Sequence, residues 1–231
     1  MRTDLSGLPL PGDVLERVAN GPQSAVGGQS VVVPMAWWHR NLEGLPGRDL
    51  FGAVDTAQVS RRDVFTLASA SDTNDGALTL LWWSLAWGAG NRLRLCSQRI
   101  DSVREDVRGA GTTLRRAAAL AGDGPGAAFR LLAGPDRIKY LGAAFFTKYL
   151  YFAGCGRSEH PCLILDANVA LALHDRGWSS LKASGGWGAD TYERYVELAR
   201  RWSTEATLAA GRTVAPAEIE LALFKLGRAD R

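Results

Sequence analysis

Apolar residues recur at three- and four-residue spacing along most of the chain, the period of a helix with one buried face. The clearest case is "APAEIELALFKLG", residues 215–227, where Ile219, Ala222, Leu223 and Leu226 fall on one face. Pro216 stands at its start and Gly227 at its end, the residues that open and close helices. "ADTYERYVELARRWSTEA", residues 189–206, carries aromatic and aliphatic residues at the same spacing. "RRDVFTLASAS" and "DGALTLLWWSLAW" predict two helices divided by an Asp/Thr/Asn/Asp/Gly turn cluster, with Asp75 placed to cap the second. "IDSVREDVRGAGTTLRRAAALAG" predicts helix, with a break expected at Gly109–Gly111, and "AAFRLLAG" a short helix before a turn. Only "SVVVP", residues 30–34, reads as a strand, in a Gly- and Pro-rich opening segment. The fold class expected is mainly α with one short N-terminal strand.

Composition narrows the picture. The chain has 231 residues, 46% of them hydrophobic, enough for a sizeable core in one domain or two that share an interface. Net charge is only +3, which permits a nucleic-acid partner without arguing for one. Four of the 27 basic residues are lysines (Lys139, Lys148, Lys182, Lys225) and the rest are arginines. Arginine grips phosphate with a planar fork, although a GC-rich genome would also raise the Arg and Ala content. Cys96, Cys155 and Cys162 make no even disulfide framework, so a reduced cytoplasm is the expected compartment. Cys155 and Cys162 have the first spacing of an iron–sulfur loop, but two ligands of the four are missing. His39, His160 and His174 are scattered and suggest no zinc site. "MRTDLSGLPLPGD" does not read as a secretory signal, and "ALTLLWWSLAWGAG" is too short to span a bilayer. No metal, cofactor or membrane partner is expected, and nothing sets an oligomeric state.

Two ionisable residues stand alone in apolar stretches. "AAFFTKYLYFAG", residues 143–154, has one charge, Lys148; "PCLILDANVALAL", residues 161–173, has one charge, Asp166. The first stretch follows a short helix and a tight turn, a helix–hairpin–helix outline whose backbone N–H groups can hold a phosphate. Lys148 shares a helix face with Ala144, Phe145, Tyr151 and Phe152. An amine desolvated among aromatics is driven toward its neutral, nucleophilic form; a lysine that packs its stem and lifts its head to water is the competing reading. Asp166 opens a helical run, Val169 to Leu173, so it reads as an N-cap that stays ionised and can still face a cleft. One helix and one return stretch separate the two residues, a connection short enough to bring them together.

A lysine on or near a hairpin helix, followed eighteen residues later by an aspartate at a helix start, resembles the signature of the helix–hairpin–helix DNA glycosylases. "GAAFFTKYLYFAG" and "PCLILDANVALAL", with "LAWGAG" upstream and "IELALFKLG" near the end, look closest to one branch. It comprises bacterial glycosylase-like proteins of the 8-oxoguanine-glycosylase fold, some of which act in phage defence against modified viral DNA. The resemblance covers most of the chain from about Asp63 onward. It implies a single glycosylase-like unit over residues 1–231, divisible into helical subdomains at about 1–125 and 126–231 with the cleft between them. It makes Asp166 the catalytic carboxylate and Lys148 the candidate amine. The usual hairpin reads Gly-x-Gly with the lysine in the first turn of the second helix; here only Gly142 remains, and Lys148 lies about one turn further along.

Breaking the bond between C1′ and the base nitrogen develops positive charge on the sugar. An ionised Asp166 would stabilise that charge or orient the attacking water. Lys148 would attack C1′ if neutral, and would assist the leaving base or hold a phosphate if charged. Neither route needs a metal. A turned-out base also needs flat walls. Of eight tryptophans, Trp82, Trp83 and Trp202 read as core, while Trp37, Trp38 and Trp87, with Phe145 and Tyr151, are candidate pocket walls. "WGAGNRLRLCSQR" reads as a DNA-facing loop with phosphate contacts from Arg92, Arg94 and Arg99, Gly142 adding a contact from the hairpin; a solvated basic loop is the alternative. The expected partner is double-stranded DNA with a modified base, favoured as a bulky phage modification such as glucosylated 5-hydroxymethylcytosine. Repair of 8-oxoguanine and a non-catalytic DNA-binding module are the other readings.

Overall fold

The computed structural model describes residues 3–22, 24–52 and 54–229; Met1 and Arg2, which open the stretch read above as no secretory signal, lie outside the described residues. The chain opens with α1 (Gly12–Ala19), α2 (Ala25–Gly28), β1 (Ser30–Val33) and α3 (Met35–Asn41). β2 (Ala57–Ser60) pairs antiparallel with β1, Ser30 opposite Ser60 and Val33 opposite Ala57, and this two-stranded sheet lies against α5 (Asn74–Ala89). "SVVVP" is therefore a strand as expected, and its partner β2 carried no alternation strong enough to announce it. Between β2 and α5, α4 (Arg61–Phe65) takes up only the first half of "RRDVFTLASAS". A capping box starts it: Asp63 N–H donates to Ser60 Oγ and Ser60 N–H to Asp63 Oδ2.

α5 is apolar on every side and is the central helix, with Leu78, Leu80, Leu81, Trp82 and Leu85 all buried. Its cap is Thr73, whose Oγ1 accepts from Gly76 N–H at 3.0 Å, and not Asp75, which already lies inside the first turn. The predicted long helix after it is two, α6 (Cys96–Arg104) and α7 (Val107–Asp123). The break falls at Glu105–Asp106 because Asp106 caps a new helix by accepting from Gly109 N–H; Gly109 and Gly111 are helical. Gly111 lets α7 close on α5, since a Cβ there would lie 2.9 Å from Asn74 Cβ.

The second half contains α8 (Pro125–Ala133), α9 (Ala143–Phe152), α10 (Ala167–Asp175), α11 (Ala189–Ala210) and α12 (Pro216–Ala229). Ile219, Ala222, Leu223 and Leu226 are buried, the face the pattern predicted. Gly227 does not end α12. It sits inside the helix where a Cβ would come within 1.9 Å of the Asn168 carbonyl oxygen, so α12 runs hard against the start of α10. One apolar cluster runs through the whole, from Leu5 to Leu226, and Trp82, Trp83 and Trp202 belong to it. The architecture is mainly α, and no helix among the described residues is long and apolar enough to cross a membrane.

Candidate active site

α8, a turn over residues 134–142 and α9 make a helix–hairpin–helix unit. Gly142 is extended at the N-cap of α9 and makes no side-chain cap, as a residue without a side chain must. Lys148 lies in the second turn of α9. After α9 the chain returns as an extended segment, residues 161–165, whose backbone groups are satisfied by side chains rather than by a sheet. Thr147 Oγ1 accepts from Leu165 N–H at 3.2 Å, Tyr195 donates its hydroxyl to the Ile164 carbonyl, and Tyr192 both accepts from Leu163 N–H and donates to its carbonyl. Thr147 and Leu165 are the immediate neighbours of Lys148 and Asp166, so this bond sets the register between them.

In that register Lys148 Nζ donates to Asp166 Oδ2 at 3.0 Å and to the Ala144 carbonyl at 2.9 Å. Asp166 Oδ1 accepts from the N–H groups of Asn168 and Val169, capping α10. The two side chains are 7% and 13% exposed. Burial pushes the Asp166 carboxyl up, but the Lys148 ammonium and the two backbone donors outweigh it and hold the group below its ordinary 3.8. The aspartate is both helix cap and counter-ion, and the lysine is an inward ion-pair partner rather than a head lifted to water.

Gly88, near the end of α5, forms the opposite wall: a Cβ there would lie 2.7 Å from Lys148 Cδ and 3.3 Å from Phe145 Cε1. Behind the pair sits a second one. Arg61 and Glu220 are fully buried, with Arg61 Nη1 donating to Glu220 Oε2 at 2.6 Å and Nη2 to Oε1 at 3.1 Å. Nη1 also donates to the Tyr151 hydroxyl at 3.0 Å. The guanidinium lies over the rings of Trp87 and Tyr151, 5.2 and 5.0 Å from their centroids. Burial raises Tyr151, so its hydroxyl keeps its proton, and burial raises Glu220 against the lowering pull of Arg61. Glu220 was legible by the rule that singled out Lys148 and Asp166, a lone charge in "IELALF"; Arg61, beside Arg62 and Asp63, gave no such signal.

The aromatic candidates divide. Tyr151 and Trp87 are buried around Arg61, and Phe145 lies between the guanidinium of Arg99, 3.9 Å from its ring, and Lys148 Nζ, 5.8 Å away. Trp37 and Trp38 join a separate stack: Trp38 is fully buried, edge-on to Trp37 at 5.1 Å and stacked on Phe51 at 5.7 Å, with Trp83 beyond. Trp38 is thus core and not a pocket wall. Arg92 and Arg94 are exposed, whereas Arg99 is not a loop residue at all; it is in α6, 5% exposed, and its guanidinium donates to the carbonyls of Tyr140 and Arg94. A cavity of about 450 Å³ opens one turn along α9, lined by Tyr151, Phe65, Arg62, Arg157, Ser158 and His160 among others, but by neither Lys148 nor Asp166. No group of three or more His, Cys, Asp or Glu side chains among the described residues could hold a metal ion.

The family model described as "Putative 8-oxoguanine DNA glycosylase OGG-like protein" matches residues 24–224. No curated protein matches the chain, and no solved structure does.

Proposed function

The chain belongs to the OGG-like family of DNA glycosylase proteins, and on that premise we propose that it releases a modified base from duplex DNA with Asp166 as the catalytic carboxylate. The observation that carries this is the 3.0 Å contact between Lys148 Nζ and Asp166 Oδ2. Hydrolysis joins a water oxygen to C1′ as the bond from C1′ to the base breaks. The pair of electrons in that bond leaves with the base, and the sugar is cationic on the way. An ionised carboxylate steadies that cation and takes the proton the water sheds. Lys148 orients the carboxylate, and in its neutral form the amine would attack C1′ directly, the base leaving with the bond's electron pair. The first route leaves an abasic site; the second leaves a Schiff base that borohydride reduces.

The substrate proposed is a bulky phage base such as glucosylated 5-hydroxymethylcytosine, removed in antiviral defence. The branch resemblance supports it. Repair of 8-oxoguanine is the second reading. The family description favours it. Duplexes bearing each base, incubated with and without borohydride, separate the readings. Abasic sites in one duplex only assign the base, and Asp166→Asn is expected to slow release about 100- to 1,000-fold. A trapped adduct that disappears in Lys148→Gln assigns the amine as nucleophile. No release from any duplex would leave a DNA-binding module.

A further inference from the structure

Arg99 is a buried cation without a counter-ion. No carboxylate pairs with it among the described residues. Its Nε donates to the Tyr140 carbonyl at 2.9 Å, and its Nη1 donates to the Arg94 carbonyl at 3.2 Å and toward Cys96 Sγ at 3.8 Å. A buried charge held by neutral acceptors alone adds little stability, and an apolar side chain of similar volume would serve as well. Stability therefore does not account for it. Its flat face has another use: the guanidinium lies 3.9 Å from the centre of the Phe145 ring. Three other aromatics of α9 are fixed by ring contacts, Phe146 on Phe129 at 4.7 Å and both Tyr151 and Phe152 on Phe65 at 5.4 Å. Phe145 is half-buried and has no such ring partner among the described residues. What holds it is Arg99.

The ring so held bounds the path of Lys148. A Cβ on Gly88 would lie 2.7 Å from Lys148 Cδ and 3.3 Å from Phe145 Cε1, so the lysine stem and the edge of the ring lie side by side against α5. Lys148 Nζ is 5.8 Å from the ring centroid and 3.0 Å from Asp166 Oδ2. A lysine stem is flexible, so Nζ stays on Asp166 only while the walls around the stem stay in place. The backbone of Gly88 is a fixed wall, and the ring of Phe145 is a movable one. The planar fork of an arginine, anchored at carbonyls from two separate loops, presents a fixed plane to that ring. We propose that Arg99 is a positioning residue for Lys148: it holds the Phe145 ring, and the ring holds the lysine stem on the line that brings Nζ to Asp166. In this role Arg99 acts through a neighbour rather than on the DNA. The proposal rests on the reading of Lys148 and Asp166 as the reacting pair of a DNA glycosylase.

Arg99→Met keeps the space filled and removes the plane and the charge. It is compared with Phe145→Leu and with the double variant by two readouts. The first needs no DNA: acetic anhydride labels the lysines, and peptide mass mapping gives the rate at Lys148 relative to exposed Lys182 and Lys225. Each single variant should raise labelling of Lys148 about tenfold, and the double variant should raise it no further, since both changes break one link. The second readout is single-turnover base release, expected to fall roughly tenfold to a hundredfold while the dissociation constant for the duplex and its salt dependence stay as in wild type. Unchanged labelling, single effects that add in the double variant, or a loss carried by DNA affinity with a shallower salt slope, the mark of a phosphate contact, would each overturn the proposal. So would raised labelling with undiminished release. Should Arg99→Met fail to fold, Arg99→Lys, which keeps the charge but not the planar fork, takes its place. If wild type releases no base from any duplex, the glycosylase reading falls and labelling alone decides whether Arg99 positions Lys148. Release by wild type with labelling indifferent to Arg99 leaves that reading and removes the positioning role.

Discussion

Asp166 commits its two oxygens to different partners, Oδ1 to the N–H groups of Asn168 and Val169 and Oδ2 to Lys148. The two contributions separate by substitution. Asparagine caps a helix nearly as well as aspartate, so Asp166→Asn keeps α10 capped but strands a buried ammonium, at a cost of about 3–5 kcal/mol. Asp166→Ala loses the cap as well, roughly 1 kcal/mol more; denaturant melts of both variants measure the difference. The carboxyl is held below its ordinary 3.8 in the fold. Its stabilising effect is thus present above about pH 4 and is lost as pH falls through the lower folded value. An acid titration followed by circular dichroism should show wild type losing stability below about pH 4 more steeply than Asp166→Asn. Each residue was visible in the sequence as a single charge among apolar neighbours; that they meet was not, since it depends on Thr147 fixing the return segment.

Two glycines set how closely the elements of the site approach. At Gly227 the obstacle to a side chain is the backbone of α10, which cannot step aside without moving the cap. Gly227→Ala should therefore cost about 3 kcal/mol or more and reduce base release with it, as paired melting and excision assays would report. At Gly88 the obstacle is the flexible stem of Lys148. The higher helix propensity of alanine offsets part of the crowding, so Gly88→Ala should leave the melting temperature within a few degrees of wild type while displacing the lysine and slowing release. An unchanged rate would show that the 3.0 Å contact tolerates a shifted lysine. Periodicity predicted α12 and its buried face, yet it assigned Gly227 to a helix end, because glycine as terminator and glycine as close-contact residue look alike in one dimension.

At the scale of the molecule, Arg61 of α4 and Glu220 of α12 join the early part of the chain to its last helix through a fully buried ion pair. Glu220→Gln leaves an unpaired guanidinium in the core and should cost about 3–5 kcal/mol, whereas Arg61→Met with Glu220→Leu should recover most of that. If Trp87 and Tyr151 are held in place by the guanidinium between them, the double variant would fold and still release base slowly. Unchanged release by a well-folded double variant would show the pair to be structural alone.

Pattern and residue type by themselves determined the helical class, the strand at Ser30–Val33, the hairpin before α9 and the candidate pair Lys148 and Asp166, because each rests on local spacing or on a charge out of place. Only the tertiary structure decided which aromatics surround the pair, that Trp38 is core, that Arg99 braces two loops from inside and that Arg61 and Glu220 stand behind the site. Those depend on contacts between residues as far apart as Arg61 and Glu220, and a side chain's solvent exposure is a property of what folds over it rather than of its neighbours in sequence.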